Sequence, residues 1–311
     1  MEGTLSKVLI AVDGSEQSQG LVDYLSGIIS ARHVELVLFH VLPKAPESFW
    51  DWEKAPASLP EHLRIWEVER EKQVRDLMRD MRRRLTGIGI PEYSIMISIR
   101  KVKEGIARDL LQEAQRGYDA ILMGRSGFGG AGAQVLGSVA AKMTAKLHSA
   151  NLWLVGKNAA SGGVIIAMDS SESAMRAVCH VSKMINASNN SVRLVHVVRG
   201  ITVSLAGQEK IFPEEYRQRL IEEAENQIKP TFDAATRILV SSGIGLEKIS
   251  TKVISGVASR AGALFDEVLR AGYGTVVVGR KGLSSVDEFD MGRVTGKLIQ
   301  LAEGIAVWLV A

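Results

Sequence analysis

The stretch from Met123 to Val139 has the residue types and spacing of a phosphate cradle. Gly124, Gly127 and Gly137 are separated by two and then nine residues, and Ser138 follows the last glycine where a helical pattern begins. Glycines let backbone N–H groups approach an anion closely, and a helix N-terminus adds unpaired donors and the positive end of its dipole. A second, altered copy lies at Gly279, Gly282 and Gly292, with Arg293 where the first copy has Ser138. Between its glycines stand Asp287, Glu288 and Asp290. Each would repel a polyanion by about 1 kcal/mol at a surface site, so this copy is expected to bind a nucleotide weakly or not at all.

Two commoner phosphate loops do not fit. A Walker loop needs Gly-Lys followed by Ser or Thr, and the chain has none. Gly127, Gly129 and Gly132 spell a dinucleotide fingerprint, but no Asp or Glu follows between Ala133 and Gly156, and the loop follows a late strand. Catalytic groups are equally scarce. Ser126 falls one residue short of a nucleophile elbow, and its counterpart is Lys281. His40 and His196 have no second ligand at metal-binding spacing and read as strand-end packing residues.

The elements that position the cradle occur twice. Val8 to Glu16 matches Val164 to Glu172 at an offset of 156, and Leu38-Phe39-His40-Val41 matches Leu194-Val195-His196-Val197 at the same offset. Tyr118 to Arg125 matches Tyr273 to Arg280 at 155, as Trp153 matches Trp308. Such constant register is the signature of duplication. Two domains are expected, residues 1–156 and 164–311, joined by a small, polar, glycine-rich linker at 157–163. Short apolar β-rich runs alternate with helical periods in each half, which predicts an α/β doubly wound domain around a parallel sheet. Helical stripes run through Leu21, Val22, Leu25, Ile28 and Ile29, through Val74, Leu77, Met78, Met81 and Leu85, and through Ala140, Met143, Thr144 and Leu147. Gly87 is the expected C-terminal cap of the second, and Arg82-Arg83-Arg84 in its last turn complement the helix dipole. The last strands are Leu152 to Val155 and Ala306 to Val310.

Composition bounds the rest. The 311 residues carry a net charge of only +3, which does not call for a nucleic-acid partner. No run reaches the roughly 18 apolar residues of a membrane span, and no signal-peptide pattern opens the chain. The single cysteine, Cys179, fits a reducing, cytoplasmic setting.

The cradle, Asp13 after the first strand, His40-Val41 after the second and Trp153 in the last closely resemble the universal stress protein family, in its ATP-binding subclass. The resemblance spans both halves. It implies two tandem Rossmann-like domains, each a five-stranded parallel sheet with helices on both faces, and ATP, with Mg, across the strand ends. Carried over by position, Ala11, Val12, Asp13 and Val41 form the adenine and ribose end. Asp13 is the expected acceptor for ribose hydroxyls, or a turn residue capping the next helix; both readings stay open. Met123, Gly124 and Gly127 line the nucleotide, while Gly137, Ser138 and Val139 offer backbone N–H groups and a hydroxyl to the phosphates. Arg125 is a candidate phosphate partner, although its counterpart Arg280 makes a structural role equally open.

Family members pair through their last strands, which implies an intramolecular pseudo-dimer here and leaves a further homo-oligomer open. The reading is a stress-response nucleotide-binding regulator rather than a catalyst, with slow ATP hydrolysis or self-phosphorylation as the alternative. A scaffold role rests on Phe49, Trp50, Trp52 and Trp66 in a segment with Pro46, Pro56 and Pro60, readable as a partner surface, a lid or cover for the sheet edge.

Overall fold

The computed structural model describes residues 5–15, 17–31, 34–44, 59–126, 136–157, 159, 162–199, 214–282 and 291–311. Strands of the first half are β1 (Ser6–Ala11), β2 (Val34–Leu42), β3 (Ile95–Lys101), β4 (Ala120–Gly124) and β5 (Asn151–Val155). Helices α1 (Gln17–Ile28), α2 (Leu59–Gly87), α3 (Ile106–Ala114) and α4 (Ser138–Lys146) connect them in turn. The second half repeats the order with β6 (Val164–Ala167), β7 (Val192–Arg199), β8 (Ile249–Val257), β9 (Thr275–Gly279) and β10 (Ala306–Val310). Its helices are α5 (Glu172–Met184), α6 (Glu214–Ser241), α7 (Arg260–Ala271) and α8 (Arg293–Leu301).

All ten strands join one sheet in the order β3-β2-β1-β4-β5-β10-β9-β6-β7-β8. Every pair within a half is parallel, as a sheet buried on both faces by crossover helices requires. At the centre β5 and β10 run antiparallel, with Trp153 opposite Trp308. Strand residues alternate between two apolar layers: Val8, Ile10 and Leu38 pack under α1, α2, α5 and α6, while Leu9, Val37 and Phe39 pack under α3, α4, α7 and α8. Each layer runs through both halves.

The helical stripes read from sequence are buried. Leu21, Leu25 and Ile28 of α1, Met78, Met81 and Leu85 of α2, and Ala140 and Met143 of α4 all lie in the core. The cap of α2 corrects the expectation at Gly87, which is the helix's last residue. Gly89, at φ +97°, makes the reversal, its N–H donating to Thr86 O at 3.0 Å while Ile90 N–H donates to Leu85 O at 3.3 Å. Gly243 and Ile244 repeat the arrangement after α6. Only a residue free to take positive φ closes a helix this way. The three arginines before the cap are held by carboxylates, Arg82 by Glu92 at 3.3 Å, Arg83 by Asp80 and Arg84 by Asp23.

Phe49, Trp50 and Trp52 lie outside the described residues; Trp66 sits half-exposed on α2. Among the described residues no helix is long and apolar enough to cross a membrane.

Candidate functional site

In a strand order of 3-2-1-4-5 the chain leaves β1 in one direction and returns to its other side at β4, so the adjoining loops splay apart and open a crevice at the strand ends. A cavity of about 510 Å³ lies there, and its wall contains Ala11, Val12, Asp13, Val41, Met123, Gly124, Gly137, Ser138 and Val139. These residues come from four separate chain segments. The structure therefore brings together every nucleotide-site residue expected from sequence except Arg125 and Gly127, the latter lying outside the described residues.

Asp13 has the turn contacts expected of a residue that precedes a helix. Its Oδ1 accepts from Ser15 N–H at 2.9 Å, Ser15 Oγ at 2.6 Å and Ser18 Oγ at 2.7 Å, which fixes the turn into α1. The same residue lines the cavity. Gly14, at φ +83°, lets the Arg70 guanidinium and Val74 of α2 pack close over the turn. His40 is buried with Nδ1 2.6 Å from the Val12 carbonyl, so Nδ1 carries the proton and Nε2 is left as an acceptor. Burial pushes the His40 pKa below its ordinary value, more than the Val12 carbonyl raises it. Among the described residues Nε2 has no hydrogen-bond partner.

At the cradle, Gly137 caps α4 without a side-chain contact. Its own N–H donates to the Arg125 carbonyl at 2.9 Å, so it is not offered to the cavity as expected. The amides of Ser138, Val139 and Ala140, in the first turn of α4, have no intrahelical acceptor.

Arg125, for which a phosphate contact and a structural role both stayed open, has structural contacts, and this corrects its place among the cavity residues. Its side chain is 4% exposed and crosses into the other half, where Nε donates to Ile299 O at 3.1 Å and Nη2 to Gln300 O at 2.9 Å. Those carbonyls are among the last of α8, which have no intrahelical donor. Arg280 does the reciprocal job for α4, donating to Thr144 O at 2.8 Å and to Leu147 O. Both arginines cap the opposite half's cradle helix, and neither is among the described residues that line the two crevices.

The second half has the equivalent crevice, about 720 Å³, walled by Met168, Asp169, Val197, Gly279, Gly282 and Gly292 among others. Its conserved spacing has a packing cause at one position. A Cβ on Gly279 would lie 2.3 Å from Ser173 Oγ and 2.9 Å from the Ser173 backbone, so glycine is required there with or without a ligand. Asp287, Glu288 and Asp290 lie outside the described residues.

Sequence reasoning missed Ser18, His40 and Arg70 as lining of the first cavity, and Arg199 and Arg260 as lining of the second. Arg70 gave no signal, because α2 lies in the least similar stretch of the two copies. Arg199 and Arg260 were readable by setting the copies side by side, where they replace Pro43 and Ile106. Among the described residues no group of three or more His, Cys, Asp or Glu side chains could hold a metal ion.

Fold and crevices define a tandem α/β protein with a ligand-type cavity at the switch point of each half. The family model described as Universal stress protein family matches residues 4–150 and again 163–310, and the chain belongs to that family. A universal stress protein from Archaeoglobus fulgidus is similar over 98% of this chain and 97% of its own, at 16% identity and TM-score 0.58. A functionally unknown protein from Pseudomonas aeruginosa PAO1 covers 98% of this chain and 92% of its own, at 10% identity and TM-score 0.58. A putative universal stress protein from Pseudomonas aeruginosa UCBPP-PA14 covers 98% and 93%, at 10% identity and TM-score 0.55. At such identities the likeness is one of fold. No curated protein matches the sequence.

Proposed function

We propose that this chain is a stress-response regulatory protein that binds an adenine nucleotide, ATP, in the cavity of its first half. One observation carries the reading: apolar Val12, Val41, Ile106 and Leu110 wall the same 510 Å³ cavity as Asp13 and the first turn of α4. That volume falls within the range of small-ligand sites. An apolar slot suits a base, a carboxylate suits sugar hydroxyls, and unpaired helix amides suit phosphates. Magnesium would arrive with the triphosphate, as it does where a site supplies one carboxylate and the substrate phosphates supply the rest.

The regulatory reading is preferred over catalysis because, among the described residues, the cavity wall holds neither a nucleophile paired with a base nor a ready metal cage. Slow hydrolysis is the alternative, since Ser126 and Ser138 stand in the wall at the cradle, where a triphosphate would lie. We take the β5–β10 junction as the intramolecular counterpart of a dimer contact, with the cytoplasm as the setting. Further self-association and a nucleotide-independent scaffold role are secondary readings.

Mass spectrometry of ligand released from freshly purified protein, paired with calorimetric titration of ATP, tests the proposal. About one ATP site per chain is expected, in the first half. Two equal sites, or no binding at all, would refute it. Phosphate release over many turnovers, absent from a Gly137→Asp control, would favour the enzyme.

A further inference from the structure

The two cavities differ in charge more than in shape. The wall of the first holds one cation and one carboxylate, Arg70 and Asp13. Among the described residues the wall of the second holds one carboxylate, Asp169, against five cations, Arg199, Arg260, Lys281, Arg293 and Lys297, and with Asp287, Glu288 and Asp290 of the intervening loop counted as well the cations still lead five to four. Among the described residues none of the five is in an ion pair, whereas Arg193, Lys252 and Arg270 of the same half all converge on Glu267. The cations that line the cavity therefore keep their charge uncompensated by a neighbouring carboxylate among the described residues.

Their placement opposes local helix electrostatics. Arg260 is the first residue of α7 and Arg293 the first of α8, and neither helix has an acid in its first turn. A cation at a helix N-terminus faces the positive end of the dipole and destabilises it. The corresponding first residues in the other half are the neutral Ile106 of α3 and Ser138 of α4. Two such violations meeting at one cavity, with Lys281 and Arg199 in the same wall, mark a place where local stability yields to a ligand.

The substitutions also fall at the end of the cavity that is apolar in the first half. Pro43 and Ile106 are replaced by Arg199 and Arg260, so an uncharged ring there would lose its slot and meet two guanidinium groups. We propose that the second cavity binds a compact polyanion that carries no base, with several phosphate or carboxylate groups close together. Guanidinium groups suit such oxyanions through paired N–H donors, and the first turns of α7 and α8 add backbone amides. The inference goes beyond the nucleotide reading and does not rest on it, since every residue it uses belongs to the second half.

The test is calorimetric titration of inorganic tripolyphosphate into the full chain at low salt. One saturable site is expected, and it should weaken by at least about tenfold in the double variant Arg199→Gln/Arg260→Gln, which removes two charges near the ligand. Both side chains are exposed, so the fold should tolerate the change. A control pair, Arg82→Gln/Arg83→Gln at the far end of α2, should shift the affinity by less than about twofold, since distant exposed charges are screened. Adenosine, a base without charge, should not compete. The inference is overturned by binding that fails to saturate at about 1 mM, by a smaller loss in the double variant, by an equal loss in the control, or by displacement with adenosine.

Discussion

The indole rings of Trp153 and Trp308 lie face to face, their centroids 3.7 Å apart and their planes 2° from parallel. The antiparallel register of β5 on β10 sets them directly opposite each other at the junction of the halves. Each indole N–H is satisfied from the other half: Trp153 donates to His180 Nε2 at 2.9 Å, and Trp308 to the Tyr24 hydroxyl at 2.8 Å. Tyr24 and His180 occupy the same position in α1 and α5, so the duplication has exchanged the acceptor while keeping the bond.

Trp308→Ala should destabilise the whole chain by about 3–5 kcal/mol, the range for a large buried aromatic. A single urea transition moving to a lower midpoint would show it. Two separate transitions, with only the second half weakened, would mean that the junction does not couple the halves.

Stability should fall in mild acid because of His180. Burial holds its pKa at about 4, below the ordinary 6.5, and Trp153 donating to Nε2 requires the neutral ring. The unfolded chain therefore binds a proton that the folded chain refuses. The contribution is fully present above pH 6.5 and is lost progressively down to about pH 4, by about 3 kcal/mol. His180→Gln should flatten the wild-type decline in thermal midpoint across that window; an unchanged pH profile would contradict the assignment.

Arg125→Met should cost about 1–3 kcal/mol by leaving the Ile299 and Gln300 carbonyls without their donor. Because Arg125 is not among the described residues lining the first cavity, ATP affinity should stay within about threefold, less than 1 kcal/mol. A selective loss of ATP binding with stability intact would return Arg125 to the nucleotide site.

Gly137→Asp should separate folding from binding. Gly137 has φ −59°, which any L-residue adopts, and Asp is among the best N-cap residues, so α4 should hold or gain stability. The same carboxylate would sit at the proposed phosphate position and weaken ATP by at least about tenfold. Calorimetry alongside thermal unfolding reads both effects, and undiminished affinity would remove the cradle from the site.

Much of this architecture is legible in the residues. Constant offsets reveal the duplication, continuous apolar runs reveal parallel strands, and the 3.6-residue stripes in α1, α2 and α4 reveal the buried faces. The glycine spacing marks the crevice because backbone near an anion or a tight turn needs glycine wherever it occurs. The cap at Gly89 was misplaced by two residues, because glycine type alone does not say which of two nearby glycines takes positive φ.

Direction and partnership were not legible. Arg125 and Arg280 stand beside the cradle glycines in sequence, yet a side chain's neighbours depend on which face of the sheet it leaves and on what has packed there. Only the β5–β10 pairing brings α8 within reach of Arg125 and α4 within reach of Arg280. The sequence by itself determined two copies of one parallel-sheet domain, with a glycine loop at the same point in each, because period and spacing are local properties of the chain. The tertiary structure alone decided that the paired arginines belong to the junction and that five cations gather at the second crevice. Those outcomes depend on contacts and charges between segments far apart in the chain, which local pattern does not encode.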